Sequence, residues 1–460
     1  MISSAPLVRR LPPAYRPLFA PGPFRRLLPA LAVSDLGDGM SAVAVPWLAL
    51  RLAPPGRPGL FVGAAVAAYV LPGALGALLF GRRLRGLPAR RLIRADAWTR
   101  ALFLGGIPVG WALGLLGPGL LLVLLAGSSL LHAWGASAKY ALVAEVIPAE
   151  RRQAANALLS TSAWVALIAG PALAGALAVV AAPAWVIGLD AVSFVVLAVS
   201  AGLLSAVSAP LADAAPDGRD RSEGPEGPVR RGEGLRVLRT SPELLGLLVL
   251  TWFFNLLYGP VEVALPLFVG QDLAAGPGLL GLYWVAFGVG ALLGALGLGV
   301  LSRRAVRWVL PGIVAGHGLA MMSYALPGPA ALSVTGFAVA GLVYGPYSAL
   351  VVGRFQELAP APALTSVLAL RASLVLTAGP AGAALGGPLT AALGARATLA
   401  GTGVAMVALA VLAVGLPLRS ASSASSASAT SATHSAVHSA AHGKSAGPTS
   451  GARTRAGAGG

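Results

Sequence analysis

Cysteine does not occur in the 460 residues, and its absence excludes disulfide frameworks, thiolate metal sites and cysteine nucleophiles. Charge is scarce as well. Only 11% of residues are Asp, Glu, Lys or Arg, and the acids number 16 against 33 Lys plus Arg. No His/Glu metal cluster and no nucleophile motif is recognisable, which weakens any reading as an enzyme. The phosphate loop G-x-x-x-x-G-K-[ST] is also missing: Gly443-Lys444-Ser445 is its nearest approach, and His438 stands where the upstream glycine is required. This excludes ATP hydrolysis by the motif.

Apolar residues dominate instead. They make up 56% of the chain, the mean hydropathy is +0.79, and that is too apolar for an ordinary soluble domain. A bilayer helix needs roughly 20 apolar residues at ~1.5 Å rise each. Twelve such runs can be drawn, at 27–50, 59–81, 92–116, 118–142, 154–179, 184–208, 244–270, 278–301, 306–326, 329–353, 364–393 and 397–418. The net charge of +17 comes from short clusters between these runs, so it reads as membrane topology and not as a nucleic-acid footprint.

Those clusters set an orientation. Arg9, Arg10, Arg16, Arg25 and Arg26 precede the first run, and Arg82, Arg83, Arg85, Arg90, Arg91 and Arg94 follow the second. Lys139, Arg151 and Arg152 flank the fourth, Arg303, Arg304 and Arg307 follow the eighth, and Arg354 follows the tenth. The odd-numbered connections hold only Arg51, Arg57 and Arg396. The positive-inside rule then predicts a multi-pass protein of the cell membrane with both termini cytoplasmic. The first run is too long for a cleaved signal and carries Asp35 and Asp38, so it is expected to be retained.

Residues 209–243 mix charge with Gly and Pro and are expected to be a solvated cytoplasmic linker. They divide a basic arm (1–26) and a first bundle (27–208) from a second bundle (244–418) and a disordered Ser/Ala/Gly-rich tail (419–460). His434, His438 and His442 recur every four residues in that tail, a spacing that would suit a metal on a helix, but in a low-complexity tract they read as composition. No metal or cofactor is expected.

The halves carry matched landmarks. "GDGMSAVAVPWLAL" places Pro46 where "YGPVEVALPLFVG" places Pro266, and "ALIAGPALAGAL" in the fifth run answers to "LTAGPAGAALGG" in the eleventh. Six-plus-six runs in parallel order predict an all-α integral membrane fold, two six-helix bundles related by an axis along the membrane normal, with a site between them.

With these landmarks the chain resembles the major facilitator superfamily, and within it the twelve-helix drug and siderophore exporter branch that includes macrolide and enterobactin exporters. The resemblance rests on Leu36-Gly37-Asp38, on the entry to the third run from Arg90 to Arg100, on "VIPAERRQAANALLS" leading to Gly170-Pro171, and on "LDAVSF" in the sixth run. It implies secondary active transport by alternating access. One departure stands out: the family's loop between spans two and three has an acid before its basic pair, whereas Leu78 to Gly86 contain Arg82 and Arg83 and no acid. A latch would need another partner, for which Asp96 is a candidate. Gly170-Pro171 with Gly175 resembles the fifth-helix signature of the superfamily's antiporters. The plainer reading is a packing kink, repeated at Gly379-Pro380.

Intramembrane charges are the sharper signal, because a charge near the bilayer centre costs at least ~2.5 kcal/mol on insertion scales. Asp35 and Asp38 share a helix face. Asp38 first, Asp35 second, and Glu262 are the candidates for proton coupling, since a carboxylate at a cavity edge can bind and release a proton in each cycle. Asp96 and Arg100 are four apart and are expected to neutralise one another within the third span. Asp190 is expected to be a packing or polar-anchor position, and His132 and His317 satisfied bundle histidines. Trp47, Trp252, Phe254, Tyr258, Tyr344 and Arg371 are candidates to line a substrate cavity, together with Phe253, Tyr283, Trp284 and Tyr347, although such aromatics can equally be core or interfacial.

The resulting expectation is a monomeric, proton-coupled exporter of an amphipathic small molecule, drug- or siderophore-like, with the lipid bilayer as its surroundings and no nucleic-acid partner. An importer or lipid flippase on the same fold, and a non-transporting membrane sensor, are the alternatives.

Overall fold

A computed structural model describes residues 15–80, 84, 87–204, 233–297, 306–360 and 363–415. Every long element among them is helical, and the helices group into twelve stretches: α1 (Pro23–Leu52), α2 (Pro58–Leu79), α3 (Ala89–Ala112), α4 (Pro118–Val146), α5 (Ala149–Leu177), α6 (Pro183–Leu204), α7 (Pro242–Leu267), α8 (Pro277–Leu296), α9 (Val306–Met321), α10 (Ala330–Leu358), α11 (Leu364–Leu393) and α12 (Ala395–Val414). Nine helical spans among the described residues are long and apolar enough to cross a membrane. The other three helices are α2, α3, into which Arg90, Arg91, Arg94, Asp96 and Arg100 are crowded, and the 16-residue α9.

Proline opens α1, α7 and α8 in the first turn, where the missing N–H would have had no partner. Two passes are broken at matching places: α4 at Leu130-Leu131 and α10 at Gly345-Pro346. In α10 the proline cannot continue the hydrogen-bond ladder. Between α11 and α12 a single residue makes the turn, Gly394 at φ +82°, a conformation that side chains strain to adopt.

Each half packs by the same plan. In the first, α1 lies against α5 and α6, α3 against α6, and α2 against α4; in the second, α7 lies against α11 and α12, α9 against α12, and α8 against α10. The halves meet where α2 packs on α11 and α5 on α8. Small residues allow these approaches. A Cβ on Gly63 would fall 2.8 Å from Gly387 Cα, one on Gly175 3.2 Å from Gly278 Cα, and one on Gly59 3.2 Å from Thr390 Cβ. All three contacts lie toward the end of the molecule that carries the odd connections, so the halves are closed on each other there. Large apolar side chains such as Leu102 and Leu412, more than 70% exposed, form the outer surface, as expected of a face turned to lipid.

Several boundaries differ from the sequence expectation. Helix α1 begins at Pro23, so Arg25 and Arg26 belong to it and not to an arm. Part of the segment read as solvated linker is a helix, Glu233–Thr240, because its spacing is amphipathic: Leu238 is buried with Leu244 and Leu247 in one apolar cluster while Arg236 and Arg239 face outward. The tail from 419 on, with its three histidines, and Arg9, Arg10, Arg82, Arg83 and Arg85 lie outside the described residues.

Candidate functional site

Helices of both halves line a central cavity of about 340 Å³, at the lower end of the range for small-molecule pockets. From the first half come Ser41, Val45, Pro46, Tyr69, Trp164 and Pro171, and from the second Phe254, Asn255, Tyr258, Glu262, Pro266, Trp284, Phe287 and Tyr344. The matched prolines Pro46 and Pro266 thus bring both α1 and α7 to the cavity wall. Glu262 is the one charged side chain lining the cavity, and it makes no ion pair or side-chain hydrogen bond among the described residues. Behind the aromatic wall, fully buried His317 donates from Nδ1 to Ala340 O at 3.0 Å and meets the rings of Phe254, Tyr258, Phe287 and Tyr344 at centroid distances of 5.4–6.2 Å.

The second polar assembly lies inside the first bundle and adjoins the cavity through Tyr69. Arg100 on α3, its side chain 3% exposed, pairs with Asp38 on α1, donates to Tyr69 Oη at 2.9 Å, meets His132 Nδ1 at 2.5 Å and lies 4.3 Å from the centre of the Phe194 ring. Tyr69 also donates to Asp38, at 3.3 Å. This corrects the expected pairing within α3. Arg100 pairs with Asp38 across helices, while Asp96 is turned against Gly135 of α4, buried, with Oδ1 lacking a partner. Asp96 is therefore enclosed in the first bundle in this structure. Local spacing pointed to the i, i+4 pair, but the tertiary packing brings α1 closer to the guanidinium.

The second acid of α1 has its own cation: Lys139 of α4 donates to Asp35 at 2.5 Å, and Ser162 of α5 at 3.2 Å. One helix turn deeper than Asp38, Ser41 donates to Asp190 of α6 at 2.5 Å. Asp190 is fully buried. At the base of α3 the Ala89 N–H donates to Glu145 of α4 at 2.9 Å, fastening the segment that carries Arg90 and Arg91.

Of the proposed cavity aromatics, Phe254, Tyr258, Tyr344 and Trp284 line it. Trp47 instead packs in the core beside Gly270, and Trp252 donates to Thr377 at 3.1 Å. Phe253 faces outward, Tyr283 bonds Ser333 and Tyr347 bonds Thr251, and Arg371 lies over the Phe355 ring at 5.5 Å. None of these six is on the cavity wall, because successive positions on a helix rotate by about 100° and only some face inward. Sequence reasoning passed over Ser41, Tyr69, Trp164 and Asn255. Ser41 and Tyr69 carry the cavity's polar link to the buried charges, and nothing in their local sequence marks them. The two Gly-Pro motifs also differ: a Cβ on Gly170 would meet Gly39 Cα at 2.6 Å, whereas Gly379 has open space, and the corresponding close approach to α7 is made by Gly382, which meets Gly259.

Known proteins agree with this architecture. Residues 27–375 match the family model of the Major Facilitator Superfamily. The multidrug efflux pump Tap of Mycobacterium tuberculosis is 31% identical over 411 residues, 86% of this chain and 94% of that protein. Its namesake in Mycolicibacterium fortuitum is 29% identical, with 86% and 96% covered. Among solved structures, a bacterial homologue of the iron transporter ferroportin in an inward-facing state has a TM-score of 0.63 at 17% identity, covering 85% of this chain and 98% of that one. A bacterial homologue of the human lysosomal transporter Spinster, inward-facing and unoccupied, also has 0.63, at 12% identity, with 88% and 98% covered. Two pseudo-equivalent bundles around one cavity, matched in sequence over most of their length, place this chain in the Major Facilitator Superfamily.

Proposed function

We propose that this transporter exports cationic, amphipathic small molecules across the cell membrane in exchange for protons. The observation that carries the reading is the cavity: apolar and aromatic walls from both halves, with Glu262 unpaired among them. Such a wall gains from burying an apolar body, and a lone carboxylate in a dry site favours a cation over a neutral or anionic analogue. Supporting it, the relatives in the two mycobacterial species are multidrug efflux pumps by name.

Proton coupling falls to the acids of α1 and to Glu262. Asp38 lies inside the first bundle against Arg100, and its protonation would leave the Arg100 charge without its counter-ion. A buried guanidinium so exposed must find another partner, and that need can move helices. Asp35, tied to Lys139, is the secondary candidate. In this reading both termini are cytoplasmic, and the end closed by Gly63, Gly387, Gly175 and Gly278 faces outward, so the cavity is presented to the cytoplasm. Opening that end while the opposite one closes is the alternating-access step.

The test is uptake of tetraphenylphosphonium, a lipophilic cation, into inverted membrane vesicles. Accumulation that requires an inside-acidic pH gradient, and collapses when the gradient is dissipated, is the expected result. Equal uptake with and without the gradient would overturn proton coupling, and accumulation only in right-side-out vesicles would reverse the direction.

A further inference from the structure

Asp190 differs from the two acids of α1. Asp38 and Asp35 each face a cation, Arg100 and Lys139, but Asp190 is fully buried and makes no ion pair among the described residues. Its partners are two hydroxyls. Ser41 donates to Oδ2 at 2.5 Å. Ser193 has one hydroxyl hydrogen for two acceptors in reach, the Asp190 carbonyl oxygen one helix turn back at 2.7 Å and Oδ1 at 3.3 Å. Given to the nearer carbonyl oxygen, it leaves Oδ1 without a donor, and a hydrogen on Oδ1 then restores the bond to Ser193 Oγ. With a proton on Oδ1 every atom is satisfied: Oδ1 donates to Ser193 and Oδ2 accepts from Ser41.

The site is tightly enclosed. A Cβ on Gly37 would strike the Asp190 carboxyl and come within 2.6 Å of Ser193 Oγ, so the bare backbone of α1 closes the space that water would fill. The charged and titratable groups facing Asp190 are Asp38 from α1, Arg100 from α3 and Tyr69 from α2. Arg100 is already engaged by Asp38, Tyr69 and His132. Ser41, in contrast, both bonds Asp190 and lines the central cavity.

We propose that Asp190 is a proton-binding residue of the transport cycle, separate from Asp38: when its carboxyl group turns the protonated oxygen toward Ser41, the Ser41 hydroxyl accepts that proton and gives its own hydrogen to the central cavity, and reloading runs the same two transfers in reverse. This rests on the proton-coupled reading above and names a carrier for it. When the proton leaves, Asp190 becomes an anion beside Arg100 and competes with Asp38 for the guanidinium. Loss of the proton and rearrangement of the Asp38–Arg100 pair are then one event.

Infrared difference spectroscopy of the full-length protein in lipid nanodiscs tests this without relying on transport. The wild type is expected to show the carbonyl stretch of a protonated carboxyl group that is absent in Asp190→Asn and retained in Asp38→Asn. The Asn side chain can donate to Ser193 and accept from Ser41, so the variant keeps the packing. Should Asp190→Asn fail to purify, Ser193→Ala carries the test, because removing the acceptor shifts the same band to that of a carboxyl with one hydrogen bond fewer. Adding tetraphenylphosphonium should then diminish the wild-type band as the proton is released. A band that survives in Asp190→Asn, a wild type with no such band, or a band unmoved by Ser193→Ala would overturn the proton on Asp190. A band indifferent to the cation would overturn its place in the cycle. Failure of the functional reading itself shows separately, as vesicles that accumulate no cation while the Asp190 band is present.

Discussion

Arg100 is almost wholly buried, and it holds its charge by the company of Asp38, Tyr69, His132 and the Phe194 ring. Removing one partner of such a pair leaves an uncompensated charge and costs about 3–5 kcal/mol, whereas removing both charges together is far milder. Asp38→Asn should therefore both abolish the pH-gradient dependence of flux and lower the thermal unfolding temperature. The double variant Asp38→Asn, Arg100→Gln should regain most of that stability without regaining the gradient dependence, as a double-mutant cycle in detergent would show. A single Asp38→Asn as stable as wild type would mean that Arg100 is not held by this pair. Glu262 gives a prediction of the opposite kind. With no protein partner to orphan, Glu262→Gln should leave stability unchanged, weaken binding of a lipophilic cation by roughly tenfold, about 1.4 kcal/mol, and leave a neutral ligand of the same size unaffected. Equal losses for both ligands would assign Glu262 to packing.

At the scale of the helix, small residues decide which surfaces touch. Gly39 and Gly170 bring α1 and α5 together, Gly259 and Gly382 bring α7 and α11 together, while Gly379 faces open space. Gly170→Ala should push α1 from α5 and reduce folded yield and unfolding temperature, and Gly382→Ala should act likewise between α7 and α11. Gly379→Ala should be neutral or stabilising, by up to ~1 kcal/mol, since alanine is the better helix former. A destabilised Gly379→Ala would show that its neighbourhood closes in another state. How much could be read beforehand is clear from these positions. The Gly-Pro motifs at 170 and 379 were visible as landmarks of one repeat, and Pro46 and Pro266 marked the two helices that meet the cavity. The shift of the packing glycine from 379 to 382 was not visible, because it depends on the rotation of α11 about its axis, to which a repeated motif is blind. For the same reason Trp47 and Trp252 were plausible cavity residues by type and proved to face elsewhere, and Asp96, four residues from Arg100, lost its expected partner to an acid on another helix.

At the scale of the whole molecule the two halves are closed at one end by α2 against α11 and α5 against α8. A chain without cysteine offers a clean background for testing whether that contact must open. Gly59→Cys with Thr390→Cys would set two Cβ atoms near the separation a disulfide needs, given the 3.2 Å between the Gly59 Cβ position and Thr390 Cβ. Oxidation should arrest uptake of the cation and reduction should restore it, while each single variant transports in both conditions. Unimpaired flux in the cross-linked protein would mean that the halves need not part at this end.

The sequence by itself determined that the chain is helical, membrane-spanning and built of two similar halves. Those properties follow from one-dimensional quantities: the length of apolar runs, the spacing of basic clusters and the order of Gly and Pro landmarks. Its family membership was legible for the same reason, through motifs that are local in the chain. Which charges pair, which aromatics meet the cavity and which acid is left with hydroxyls alone were decided only by the tertiary structure. Arg100 reaches Asp38 over 62 positions and Ser41 reaches Asp190 over 149, and such contacts depend on the rotation and depth of each helix against its neighbours. In a bilayer that packing is set by close fits between small residues, and the charges take the partners that the fit brings within reach.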